Sequence, residues 1–209
     1  MKKTMTIMLF VLAAALMFTA CGPKSDAPKA GGASAMDMLN MLPADVLGVM
    51  FIDFNKAMSI ESADKAIKES DDYQKYQEFI EKTGIDPQKD IYYIAVGIKG
   101  GGTENAAVIA NLKYDQAKLM EVIHEESEKE IGEQEYGGMT IYEMEGEDQE
   151  GGFCFLDDSN ILAGSIAEVK AVIDVLQNKA DNFSKNKELN ALIDKTNQKA
   201  LFWGAMLVP

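Results

Sequence analysis

The sequence predicts an α+β domain, a largely antiparallel sheet with helices packed on one face. Three observations carry that expectation. The chain is 47% hydrophobic over 209 residues, enough apolar side chains for a packed core rather than a disordered coil. Strand-like runs come in adjacent pairs joined by Gly-rich or Asx turns, which is how hairpins are written. The order strand, turn, strand, cap, helix occurs over residues 91–130 and again over 152–177, with caps at Asp115 and Ser165, and reads as an internal ββα duplication.

The chain opens with Lys2 and Lys3 before an apolar run over residues 5–20. A basic start, a short apolar stretch and a small residue at its end make a secretory signal. The run is somewhat short for a membrane span, and no later segment approaches that length. Phe18-Thr19-Ala20-Cys21 closes the leader, and in this respect it resembles a bacterial lipoprotein signal peptide with its lipobox. The resemblance implies diacylglycerol on the Cys21 thiol, cleavage before Cys21 and an acylated new N-terminus. The membrane would then be met through acyl chains on Cys21, each buried methylene contributing about 0.8 kcal/mol. Gly22 stands where an aspartate would signal retention in an inner membrane. By that sorting rule the outer membrane is favoured where the cell has one. Residues 22–35 are small, polar and rich in Pro and Gly. They read as a flexible tether of roughly 20 Å reach, taken as 5–6 Å times the square root of length. The divisions are therefore 1–20 signal, 21–35 lipidated cysteine and tether, and 36–209 a single α+β domain.

Residues 36–42 spell an amphipathic turn or two, stopped by Pro43. Residues 46–53 form a continuous apolar run with β-branched and aromatic members, predicting a strand buried on both faces. Ala63, Ala66, Ile67, Tyr73, Tyr76, Phe79 and Ile80 fall at helical spacing within 55–83. Ser70-Asp71-Asp72 should divide that stretch into two helices, with Asp71 or Asp72 capping the second. Gly84 is placed to end it in the left-handed conformation. Residues 91–98 and 106–112 predict a hairpin, joined at Lys99-Gly100-Gly101-Gly102-Thr103. Asp115 caps the helix that follows, with Leu119, Met120, Ile123 and Ile131 facing inward. Its last turns are acidic, which opposes the helix dipole and predicts fraying before Gly132. A meander of strands at 139–144, 152–157 and 160–163 comes next. Ser165-Ile166-Ala167-Glu168 then spells a capping box ahead of Val169, Val172, Ile173 and Leu176. A polar break over 178–187, a short helix with Leu189, Leu192 and Ile193, and a final strand over 201–208 complete the domain.

The charge excludes some partners. Formal charge is −14, and removal of the leader with its two lysines takes the mature chain to about −16. The chain has no arginine. Acidity without Arg argues against nucleic acid and against direct adhesion to anionic lipid heads.

No constellation of catalytic residues stands out. Cys21 is committed to lipid, so Cys154 has no partner within the chain and reads as a small buried hydrophobe. His124-Glu125-Glu126 lacks the second histidine of a zinc-protease helix, because Glu128 occupies that place. The loop at Lys99 joins two strands, not a strand and a helix, so it is read as a hairpin rather than a phosphate cradle. Met36, Met38 and Met41 could offer thioethers to copper(I), against a plainer role in packing. Glu143, Glu145, Glu147, Asp148 and Glu150 crowd one hairpin without the spacing of a calcium loop. Trp203 lies in a strand, away from any evident sugar platform. No cofactor, catalytic residue or metal ligand is therefore assigned, and Cys21 is the one modified site expected.

Leu42-Pro43-Ala44-Asp45, Gly84-Ile85-Asp86-Pro87, Tyr136-Gly137-Gly138 and Leu162-Ala163-Gly164-Ser165 carry a second resemblance. Over most of residues 42–205 they are similar to an uncharacterised family of acidic, often lipidated bacterial envelope proteins. Those motifs are turns and caps, so the resemblance implies no active site. Two functions remain. One is a lipid-anchored binding or interaction module, meeting another envelope protein at a sheet face or edge. The other is a periplasmic carrier of an apolar ligand or lipid, with Phe51, Tyr92, Phe153, Phe155 and Phe202 lining a cavity. An enzyme comes third, since it would need a carboxylate site that the sequence does not single out.

Overall fold

A computed structural model describes residues 34–100, 105–127, 130–145 and 150–208. The leader, Cys21 and most of the expected tether lie outside these residues. So do residues 101–104 and 146–149, where a hairpin loop and an acidic turn are expected, and residues 128–129.

The strands are β1 (Gly48–Asp53), β2 (Ile91–Ile98), β3 (Ala106–Leu112), β4 (Gly132–Tyr136), β5 (Met139–Glu145), β6 (Glu150–Asp157), β7 (Asn160–Ser165) and β8 (Phe202–Met206). They form one sheet in the order β4-β5-β6-β7-β3-β2-β1-β8, with every neighbouring pair antiparallel. The helices are α1 (Ala35–Leu39), α2 (Phe54–Met58), α3 (Glu61–Lys68), α4 (Tyr73–Thr83), α5 (Pro87–Asp90), α6 (Gln116–Glu126), α7 (Ile166–Leu176) and α8 (Lys187–Ile193), with a 3-10 turn at Phe183–Lys185.

The α+β class and the antiparallel sheet are as the sequence predicts. The helices, however, cover both faces rather than one. Val49, Phe51, Ala95, Ile109, Cys154, Leu162 and Trp203 point to one side, under α1, α7, the 3-10 turn and α8. Ile52, Ile94 and Val96 point to the other, where α2, α3, α4 and α6 pack. The reason is in the strands. Consecutive apolar residues such as Ile94-Ala95-Val96 give β2 two faces to bury, and one helical layer can cover only one of them.

The two ββα units are present as β2-β3-α6 and β6-β7-α7, and β3 pairs with β7 at the centre of the sheet. Their helices go to opposite faces, with Leu119 of α6 in one core and Val169, Val172 and Ile173 of α7 in the other. The repeat is one of element order, not of packing.

Most boundaries follow their local chemistry. Asp115 accepts from the Lys118 N–H at 3.0 Å, capping α6. Gly84 ends α4 at φ 73°. Helix α6 stops at Glu126, and Ile131 is buried beyond it rather than within it.

Five departures are instructive. Residues 55–83 break twice, because Ile60 is extended at the start of α3 as well as at the predicted break near Asp72. Asp72 stands at the head of α4, but its carboxylate takes Lys75 Nζ at 2.6 Å and caps no backbone N–H. Ser34 and Asp37 form a reciprocal capping box, so the last two residues assigned to the tether cap and open α1. Strand β4 was not predicted: Gly132-Glu133-Gln134-Glu135-Tyr136 has no apolar alternation. It is held to β5 by a two-residue turn at Gly137 (φ 60°) and Gly138 (φ 74°), both in the left-handed region that such hairpins need. Within the polar break, Phe183 is fully buried, and its N–H donates to the Leu42 carbonyl at 2.8 Å. Asn186 braces the same corner by donating to the carbonyls of Ala44 at 2.8 Å and Val46 at 2.9 Å.

Candidate functional site

The candidate site is the outer edge of β8. Alternation along Phe202-Trp203-Gly204-Ala205-Met206 sends Trp203 inward, where its ring lies 5.4 Å from that of Phe51. Phe202 and Met206 go to the opposite side and stay 51% and 54% exposed. Together with Val208 they are the exposed large apolar residues of the described chain, all within residues 202–208.

The backbone of this edge is also open. Asp53 N–H donates to the Leu201 carbonyl at 2.8 Å, and Leu207 N–H donates to that of Leu47 at 2.7 Å. In an antiparallel pair both groups of one residue point to the same side, and the side alternates along the strand. Residues 201, 203, 205 and 207 therefore face β1, in register with Val49↔Ala205 and Phe51↔Trp203. Phe202, Gly204 and Met206 turn their N–H and C=O outward, and no described residue bonds them. The strand carries no charged side chain. The other edge, β4, shows Glu133 and Glu135 to solvent. Charged edges discourage pairing, and bare ones invite it.

The sequence-predicted residues are dispersed. His124 is exposed on α6. Lys99 is engaged structurally, with Asp45 at 3.2 Å and Glu168 at 3.4 Å. Glu168 thereby leaves the predicted capping box half-formed: Ser165 Oγ accepts the Glu168 N–H at 3.3 Å, while the buried carboxylate goes to Lys99. Met38 is fully buried, and Met36 and Met41 pack against the same core. Glu143 lies in β5, and Glu147 and Asp148 fall outside the described residues. Among the described residues, no group of three or more His, Cys, Asp or Glu could hold a metal ion.

The five aromatics expected around a carrier cavity do not share one. Phe51 stacks on Tyr93 in one core, Phe155 packs against the other, and Phe153 stacks on Tyr142 at 5.0 Å. Tyr92 is half-buried in β2, and Phe202 is open to solvent. Two hollows of the described chain are surface depressions. One of about 510 Å³ runs along α4 beside Gln74, Gln77, Glu78 and Glu81. One of about 200 Å³ is lined by Asp90, Lys113, Asp115 and Lys118.

Cys154 is fully buried, as expected of a packing residue, and burial pushes its thiol up to about 11, with Glu135 adding to the effect. Tyr114 is likewise held up to about 12 by burial and by Asp157 and Asp158. In both cases the folded value lies above the unfolded one. Their contribution is complete below the ordinary values of 9.0 and 10.0, and it is lost as pH rises through 11 and 12. The melting temperature should therefore hold to about pH 9 and fall above it, and Cys154→Ala should shallow the first part of that fall. A melting temperature unchanged to pH 11 would show that neither group is desolvated as described.

No protein-family model matches the chain, and no curated protein matches it. Among solved structures, crystal form IV of TP0453 is similar with a TM-score of 0.41 at 9% identity, covering 66% of this chain and 52% of that one. Crystal form I of TP0453 gives a TM-score of 0.38 at 10% identity, covering 77% of this chain and 58% of that one. The chain thus spans little more than half the length of either structure. At these scores the likeness carries no argument about function.

Proposed function

We propose that this chain is a lipid-anchored protein of the bacterial cell envelope, outer membrane favoured where one exists, whose α+β domain works as a docking module rather than an enzyme. The anchor is Cys21, with residues 22–33 as the tether. The observation that supports docking is the β8 edge, where exposed Phe202 and Met206 flank unpaired backbone groups on a strand without charge. An uncharged, open edge can add a strand, with the backbone supplying affinity and alternate side chains supplying selectivity. The five aromatics that a carrier cavity would need are divided between the two faces of the sheet, with Phe202 open to solvent, which favours this reading over a carrier.

The test is native mass spectrometry of the lipidated protein released gently from its own membrane. The expected result is a co-purifying polypeptide that is lost in a Phe202→Lys/Met206→Lys variant of unchanged fold. A lipid or other apolar small molecule retained by a chain that begins at Ser34 would overturn docking in favour of the carrier.

A further inference from the structure

We propose that β8 pairs with β8 of a second copy of this chain, antiparallel about Gly204, so that two eight-stranded sheets join edge to edge. The inference rests on the docking reading above and names its partner.

The edge is self-complementary about Gly204. Within β8, Phe202, Gly204 and Met206 turn their N–H and C=O groups outward. An antiparallel partner centred on Gly204 sets Phe202 opposite Met206 of the second copy, Gly204 opposite Gly204, and Met206 opposite Phe202. These are all hydrogen-bonded positions, so every outward group of the three residues finds a mate. A slip by two residues on each strand strands one of the three beyond the pairing. The side chains agree with the backbone. Phe202 and Met206 lie on the same face of the sheet and are both more than half exposed. Across the join each ring meets a thioether, a favourable contact for a polarizable sulfur.

Electrostatics separates the two edges. The chain has formal charge −14, so two copies repel over most of their surfaces. Self-pairing of β4 about Gln134 would set Glu133 directly opposite Glu135 of the second copy, and like charges so placed are destabilising. Around β8, residues 195–208 include no acidic residue, and Lys195 and Lys199 are the charged residues leading into the strand. Such a join of two short edges buries less than the roughly 1,600 Å² of a standard interface, so it is weak in free solution. Tethering both copies in one membrane plane through Cys21 raises their effective concentration.

Cysteine exchange tests the register. Phe202→Cys and Met206→Cys proteins, lipidated and reconstituted in phospholipid vesicles, are oxidised separately and mixed, with circular dichroism verifying the fold. Opposed residues at a hydrogen-bonded position have Cα atoms about 5.5 Å apart, within disulfide reach. Position 202 lies roughly 13 Å along the strand from position 202 of the other copy, out of reach. The mixture should therefore give about tenfold more disulfide-linked dimer than either variant alone. No dimer in the mixture, or equal dimer from either variant alone, would overturn the proposal. If the cysteine mixture gives no dimer and native mass spectrometry yields a different polypeptide sensitive to the lysine variant, docking stands and self-pairing falls. If it yields neither a second copy nor another polypeptide, both fall.

Discussion

Gly164→Val should unfold this domain or leave it barely folded. Gly164 lies in β7, opposite Ala107 of β3, at the seam where the two halves of the sheet meet. A Cβ there would sit 2.6 Å from the Ala106 carbonyl oxygen and 3.4 Å from the Ala107 Cα. Both atoms are backbone in a central strand, so neither can swing away as a side-chain tip would. Relief requires moving β3 from β7, which breaks ladder bonds between two central strands, each with one buried and one half-buried face. Overpacking in a core costs about 1–3 kcal/mol where the surroundings can adjust, and occasionally more. With rigid backbone on the far side, Gly164→Ala should cost about 2–3 kcal/mol, and valine at least about 4. Against a typical domain stability of about 5–15 kcal/mol, valine removes a large share. Urea denaturation followed by circular dichroism reads the change as a shift in midpoint. A valine variant as stable as the parent would mean that β3 and β7 do not lie side by side, and the eight-stranded order would fail with them.

That seam is also where sequence reading reached its limit. Local chemistry was legible: Asp115 and Ser165 start their helices, Gly84 ends another, and the hairpin at 91–112 falls where alternation and glycine put it. Each of those signals acts within a few residues. Which strands become neighbours is decided by contacts between distant residues, and no local periodicity encodes that β7 meets β3. The two-sided burial of β2 was written in Ile94-Ala95-Val96, yet the eye assigns such a run to one core unless both layers are counted. Strand β4 was hidden because an edge strand needs no apolar face, and its glutamates look like a loop. The β8 edge was half legible. The apolar strand itself was clear, but its place at the border of the sheet, leaving Phe202 and Met206 uncovered, depends on β1 having β2 as its other neighbour.

If Cys21 carries the lipid anchor proposed above, replacing it by alanine should abolish fatty acylation completely and with it the cleavage that follows. The thiol is the only group at that position able to form the thioether, and neighbouring Ser25 or Thr19 offers no substitute nucleophile of comparable strength. At about 0.8 kcal/mol per buried methylene, a chain of about sixteen carbons contributes roughly 12 kcal/mol of gross burial, and two such chains hold a protein lastingly. None of that remains in the alanine variant. Membrane fractionation alone would mislead, because an uncut apolar leader over residues 5–20 can itself hold the chain to a bilayer. The decisive readouts are incorporation of an alkyne-bearing fatty acid and intact mass. The parent should carry the label and lack residues 1–20, and the variant should carry no label and keep them. Label persisting in the variant would place acylation elsewhere. A parent that begins at Met1 without label would remove the anchor, and with it the local concentration on which weak pairing at β8 depends.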